Sequence, residues 1–247
     1  MKTYNYLSNA VTRFGAISTQ VITIVFILFT ISASAQMHST MPAVPSPTGN
    51  SIPFGGFGGL TAGYGIQYLI TPGTALGGFT TAPTPGNNIS TLYIRSAATS
   101  SPVTYSNFTI KLGQTTATEL TTGVWVTSGM TQVYFSSSQS ITWVNGTWIQ
   151  FNLQTPFLYD PAQSLIIEMT HTAISGLTAT IFPIANHSAT VGLVRRVWAT
   201  NPPPAPVGSA GTLLYCGIDV TPAAPCTEPP VPGSATANPP SSRRRPN

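Results

Sequence analysis

Apolar side chains occupy every second position in one segment after another of this chain, and that period constrains its fold more than any other feature. Phe108, Ile110 and Leu112 alternate with Thr109 and Lys111, and Ile149, Phe151 and Leu153 alternate with Gln150 and Asn152. Successive side chains of a strand point to opposite faces, so each segment reads as a strand with one dry and one wet face. In residues 165–170 the same rule puts Leu165, Ile167 and Met169 inside and Glu168 outside. Asn145-Gly146 is the strongest hairpin signal, because both residues tolerate the positive φ of a type I′ turn. Thr155-Pro156 is expected to end the pairing after it, since proline donates nothing to a ladder.

Further strands are expected over residues 65–70, 89–95, 130–135, 178–182, 191–198 and 213–220. Leu92 and Ile94 share one face of the second, and Val133 and Phe135 point inward in the third. No segment sustains a helical period, and Gly, Pro and Asn recur too often for long helices. The fold class that follows is all-β: a two-layer antiparallel β-sandwich, jelly-roll-like, with disordered N- and C-terminal tails. Pattern alone does not order the strands.

Both ends differ from this middle. Lys2 and Arg13 precede an apolar run from Val21 to Ile31, and Ala33-Ser34-Ala35 follows. This is the pattern of a signal peptide over residues 1–35, cleaved before Gln36. The run is shorter than the roughly 20 residues a membrane span needs, so no span is expected after cleavage. The expected location is extracellular or at the cell surface. Residues 36–52 read as a Pro/Ser-rich leader, 53–220 as the sandwich, and 221–247 as a Pro-rich disordered tail. Glycines in residues 53–59 disfavour a regular element, although Phe54 and Phe57 are placed to tuck a loop against the sandwich. The prolines at 202–204 make a stiff exposed loop.

Charged residues are 6% of the chain, against roughly 25% in an ordinary soluble protein. Thr, Ser, Asn and Gln must do most of the solvating, which argues against an intracellular enzyme. Lys2 and Arg13 leave with the signal peptide, and Arg243-Arg244-Arg245 sit together near the end. The remainder is close to neutral and offers no basic face for nucleic acid. Cys216 and Cys226 could pair on a secretory route. The phase of Leu214, Cys216, Ile218 and Val220 instead makes Cys216 a core thiol.

Few residues can carry chemistry. Glu168 and His171 are three apart on a strand, so they point to opposite faces. His187 is expected in a loop beside Asn186 and Ser188. Asp160, Asp219 and Glu119 could belong to a calcium site with backbone carbonyls as the other ligands, but single acids beside turns are more often caps. Glycoside hydrolysis needs two facing carboxylates; Asp160 and Glu168 are a candidate pair, with nothing in the sequence to bring them together. No catalytic residue, metal site or cofactor is assigned. The sequons at Asn88, Asn107, Asn145 and Asn186 match at a rate expected in a chain this rich in Asn, Ser and Thr.

The aromatic signal is sharper. In a two-residue hairpin about Asn145-Gly146, Trp143 opposes Trp148, and both lie on the face of Gln150 and Asn152. Exposed, the pair with its amides could stack on sugar rings or grip a partner protein; covered by a loop, it is structural. Trp143, Trp148, Gln150 and Asn152 are therefore the candidate ligand-binding residues.

Several longer runs carry a resemblance. These are the stretch from Phe108 to Leu120, Gly129-Met-Thr-Gln-Val-Tyr, Thr147-Trp-Ile-Gln-Phe-Asn-Leu-Gln-Thr-Pro-Phe-Leu-Tyr-Asp and Ser164-Leu-Ile-Ile-Glu. Together they resemble a β-sandwich module of large bacterial secreted and surface proteins, often exported by the type IX route. The stretch Pro225-Cys-Thr-Glu-Pro-Pro resembles the opening of an immunoglobulin-like or fibronectin-like repeat. The resemblance implies a non-catalytic, adhesin-like module for surface display or adhesion, a fragment of a larger multidomain protein, with glycans or surface proteins as partners. A carbohydrate-binding module using the Trp pair is the alternative, and a glycoside hydrolase is the weaker third.

Overall fold

A computed structural model describes residues 37–40, 48–56, 59–74, 77–188, 193–200 and 206–223. The signal-peptide segment, the prolines at 202–204, Phe57, and the tail from residue 224 onward with Cys226 lie outside the described residues. The strands are β1 (His38–Ser39), β2 (Thr48–Asn50), β3 (Ala62–Ile70), β4 (Asn87–Arg95), β5 (Val103–Thr115), β6 (Thr131–Ile141), β7 (Trp148–Tyr159), β8 (Ser164–Ser175), β9 (Ile184–Ser188), β10 (Arg196–Thr200), β11 (Gly208–Ala210), β12 (Thr212–Leu214) and β13 (Cys216–Pro222). There is no helix among the described residues.

The strands form a six-stranded sheet, β11-β10-β3-β8-β5-β6, a four-stranded sheet, β1-β13-β4-β7, and a small sheet, β12-β9-β2. Every pairing is antiparallel. The two larger sheets face each other across one core. Ile66, Tyr68, Ile110 and Ile167 reach it from the six-stranded sheet, and Leu92, Ile94, Phe151 and Ile218 from the other. Phe108 and Phe151 meet across the gap with ring centroids 5.4 Å apart. The architecture is the β-sandwich that alternation predicts. The small sheet and the two-residue β1 extend it upstream, so part of the expected leader is folded. His38, Thr40 and Asn50 are buried.

Most of the expected strand faces are as read. Phe108, Ile110, Leu112, Leu92, Ile94 and Phe151 are buried, and Gln150 and Asn152 are exposed. Phe54 is buried against Tyr105 and Trp143. Cys216 is a free thiol in the core, where burial pushes its pKa up to about 12 despite the Thr40 hydroxyl.

Four expectations need correcting. Phe135 is 40% exposed while Val133 is buried. In the ladder with β5, Ile110 pairs with Tyr134 and Lys111 with Gln132, so Val133 is the extra residue of a bulge. A bulge resets the phase of everything beyond it, and Tyr134 takes the inward place instead. Secondly, Pro156 interrupts β7 without ending it. Residues 153–156 stand opposite Ser90 alone, and pairing with β4 resumes at Phe157. Within that bulge the Gln154 side chain turns to β6, accepting from Phe135 N at 3.0 Å and donating to Phe135 O at 2.8 Å. The amide thus serves the open edge of β6 as a strand residue would. Thirdly, residues 178–182 are not a strand, and Phe182 is exposed. Fourthly, the expected strand over 213–220 is split at Tyr215 between two sheets.

Two predictions follow from this packing. Val133→Ala should cost about 2 kcal/mol, from two buried methyl groups and the space they leave. Phe135→Thr, although it removes the larger side chain, should cost less than about 1 kcal/mol, as for surface substitutions generally. Chemical denaturation of both variants checks the phase reset. The second concerns His171, which is buried between Phe54 and Tyr105. Its Nε2 lies 2.7 Å from Pro53 O, and its Nδ1 has no partner. Desolvation lowers its pKa below the ordinary 6.5, against weaker opposing hydrogen bonds to backbone. The unfolded chain therefore takes up this proton first, so stability is full above pH 6.5 and falls as the pH drops below it. Denaturation midpoints from about pH 7 down to about pH 5 should fall for the wild type and fall less for His171→Gln.

Candidate ligand-binding face

The structure separates the two tryptophans. β6 belongs to the six-stranded sheet and β7 to the four-stranded one, so the Asn145-Gly146 turn joins two sheets and makes no hairpin. Thr147 N donates to Val144 O at 3.1 Å. Gly146 alone takes a positive φ, +77°, while Asn145 does not, which excludes a type I′ turn. The preference of Asn-Gly for a turn is honoured, and the partner of the turn's flanking strands is decided elsewhere.

Trp143 is consequently a core residue, 0% exposed. Its Nε1 donates to Tyr105 Oη at 3.0 Å, and that hydroxyl donates to Phe54 O at 2.9 Å. The exposed Trp pair does not exist. Trp148, Gln150 and Asn152 do share the outer face of β7, and the register with β4 sets Arg95 opposite Trp148, Tyr93 opposite Gln150 and Thr91 opposite Asn152. β13 adds Asp219 beside Thr91.

This outer face is internally organised. The Arg95 guanidinium lies 5.2 Å from the Trp148 ring centroid, within cation–π range. The Tyr215 ring meets the indole edge-on, at 5.3 Å and 76°. Gln150 Nε2 donates to Asn152 Oδ1 at 2.8 Å. Tyr93 Oη donates to Asp219 Oδ2 at 2.7 Å, and desolvation, then this carboxylate, raises the phenol to about 12. It stays a neutral donor throughout the ordinary pH range. The face thus offers a stacked guanidinium–indole pair, amides, a phenol and a carboxylate on a rigid sheet. Tyr93 and Arg95 were legible as the residues opposite Leu92 and Ile94. Their meeting with Trp148 depends on register, which carries no local signal.

On the six-stranded sheet Phe135 and Thr172 are exposed, but part of the outer face is covered. The β5–β6 connection, residues 116–130, lies across it, with Leu120 packed on Leu69, Ile166 and Val197. Glu168, expected outside in water, is 2% exposed beneath this strap. It accepts from Gln67 Nε2 at 2.7 Å and Trp125 Nε1 at 3.0 Å, and pairs with Lys111 Nζ at 3.0 Å. Gln67 also exchanges both its amide groups with the Val126 backbone. Alternation put Glu168 on the correct face, but that face is covered. As expected, His171 points the other way, into the core.

The remaining acids are dispersed. Asp160 Oδ1 accepts from Ala162 N in the turn before β8, and Glu119 Oε2 accepts from Val194 N. Glu168 stands four residues into β8, about 13 Å of strand rise from its start, which separates it from Asp160. Among the described residues, no three His, Cys, Asp or Glu side chains come together. His187 is in β9, not a loop. No family model, curated protein or solved structure matches this chain.

Glu168→Ala should cost about 1–3 kcal/mol, because it leaves the Trp125 indole N–H without its acceptor, while Lys111 is exposed enough to be hydrated. Limited proteolysis should show faster cleavage within residues 116–130 in that variant than in the wild type.

Proposed function

We propose that this chain is a secreted, non-catalytic β-sandwich module for adhesion or display at a cell surface, with the outer face of the four-stranded sheet as its contact surface. The observation that carries this reading is the alignment of Trp148, Gln150 and Asn152 with Tyr93 and Arg95 across one register. An indole, a phenol and a guanidinium are the groups that dominate binding energy at interfaces, and here a sheet holds them in place in advance. The described carboxylates favour binding over hydrolysis. Glu168 is tied to Lys111, Asp219 to Tyr93, Asp160 to its own turn and Glu119 to the Val194 backbone. The export-type leader and the resemblance to bacterial surface modules point the same way.

A second reading, carbohydrate as the ligand, is favoured by the character of the face. A planar indole–guanidinium stack beside two amides, a phenol and a carboxylate suits a ring with one apolar face and a rim of hydroxyls. On an array of surface glycans the wild type should bind at least one neutral oligosaccharide. Trp148→Ala should remain folded and lose about tenfold in affinity, equivalent to about 1.4 kcal/mol. Unchanged binding by that variant would remove the face from the glycan reading. A wild type that binds no glycan leaves a protein partner for the face, which pull-down with intact cell-surface protein then tests.

A further inference from the structure

Three connections gather at one end of the sandwich: residues 96–102 after β4, 142–147 after β6 and 176–183 after β8. They are tied together by backbone. Ser100 N donates to Trp143 O at 3.0 Å, Gly146 N to Ser96 O at 2.9 Å, Ser96 N to Thr147 O at 2.8 Å and Ala97 N to Pro183 O at 2.9 Å. Gly176, at φ +89°, lies so close to Pro102 that a Cβ there would stand 2.8 Å from its carbonyl oxygen. Between the first and third of these connections, with Val103 at the start of β5, is a cleft of about 240 Å³.

We infer that this cleft is a binding site for a single neutral sugar ring, the terminal residue of a glycan that continues onto the Trp148 face. The proposal rests on the carbohydrate reading above and adds to it a site, a ligand size and a direction. The volume is below the roughly 300 Å³ at which drug-sized pockets begin, so one ring fits and a longer ligand must leave the cleft. The lining contains no charged side chain, and an ionised ligand would lose its hydration without a partner. A wholly apolar ligand would strand the hydroxyls of Thr99, Ser100, Ser101 and Thr178.

Those hydroxyls are complementary in what they offer. Thr99 Oγ1 accepts from Asn145 N at 3.1 Å and keeps its proton to donate. Ser100 Oγ donates to Ser101 O at 2.8 Å and keeps its lone pairs to accept. Leu177 and Ile181 supply apolar surface that is itself packed on the core. A ring with a C–H face and hydroxyls around it satisfies both sets at once. The Asn145-Gly146 turn links this site to the sheet face: Asn145 N binds Thr99, and a Cβ on Gly146 would lie 3.8 Å from Arg95 Nη2.

The test uses the whole chain. Saturation-transfer NMR is run with free glucose, galactose, mannose and N-acetylglucosamine, followed by titration with the neutral oligosaccharides that bind best on the array. At least one monosaccharide should bind the wild type and shift the amides of residues 99–101 and 177–179. Ala179→Trp and Ser101→Trp, which fill the cleft from opposite walls, should each lose tenfold or more for monosaccharide and oligosaccharide. Trp148→Ala should keep the monosaccharide and lose tenfold for the oligosaccharide. Binding retained in both filled variants but lost in Trp148→Ala overturns the cleft and leaves the face as the glycan site. Wild-type amide shifts confined to β4 and β7 overturn it in the same way, whether or not the filled variants fold. A wild type that binds no neutral saccharide overturns the cleft and the carbohydrate reading together.

Discussion

The structure depends on two sheets closing over a shared aromatic core. With charges at 6% of residues, little but apolar burial can hold the layers together. Phe54 is at the centre of that closure, with Tyr105, Trp143 and Phe108 rings 5.0, 5.1 and 5.5 Å away. Tyr105 and Trp143 bring polar atoms into this core, and the chain of hydrogen bonds from indole to phenol to the Phe54 carbonyl satisfies them. The same chain pins the segment upstream of β3 beneath the loops that form the cleft. Core and candidate site are thus joined through Trp143, whose side chain faces one and whose carbonyl holds the other.

The two sheets solve the problem of their outer faces differently. β8 is central in the six-stranded sheet and is buried on both sides, with Ile167 and Met169 in the main core and Ile166 in a second, smaller one. The strap over residues 116–130 is what makes burial of Glu168 tolerable. A carboxylate out of water needs donors, and Lys111, Gln67 and Trp125 supply them. Among the described residues, no such strap covers Trp148, Gln150 and Asn152 on the four-stranded sheet. The Asn145-Gly146 turn lies between that surface and the cleft, with Asn145 N on Thr99 and Gly146 beside Arg95.

Legibility differs from residue to residue for physical reasons. Phe108, Ile110, Leu112, Leu92, Ile94 and Cys216 could be placed because alternation is a local property, and each is buried. Phe135 could not, because one extra residue at Val133 shifts the phase and nothing in the composition marks it. Trp143 was misplaced for a topological reason. A turn signal says that the chain reverses, and says nothing about whether the strands on either side pair with each other or enter different sheets. Of the four candidate ligand-binding residues, Trp148, Gln150 and Asn152 share an outer face, since their relation lies within one strand. Arg95, Tyr93 and Asp219 join them only through register.

By itself the sequence determined an all-β chain, its principal inward faces, the turn at Asn145-Gly146 and a near-neutral surface solvated by hydroxyls and amides. These follow from side-chain period and composition, which act over a few residues. Tertiary structure alone decided that β6 and β7 part into different sheets, that Glu168 lies under a strap, that Arg95 stacks on Trp148 and that two loops line a cleft. Each of those depends on contacts between segments distant in the chain, where the free energy of many weak pairings is summed and no local pattern records the result.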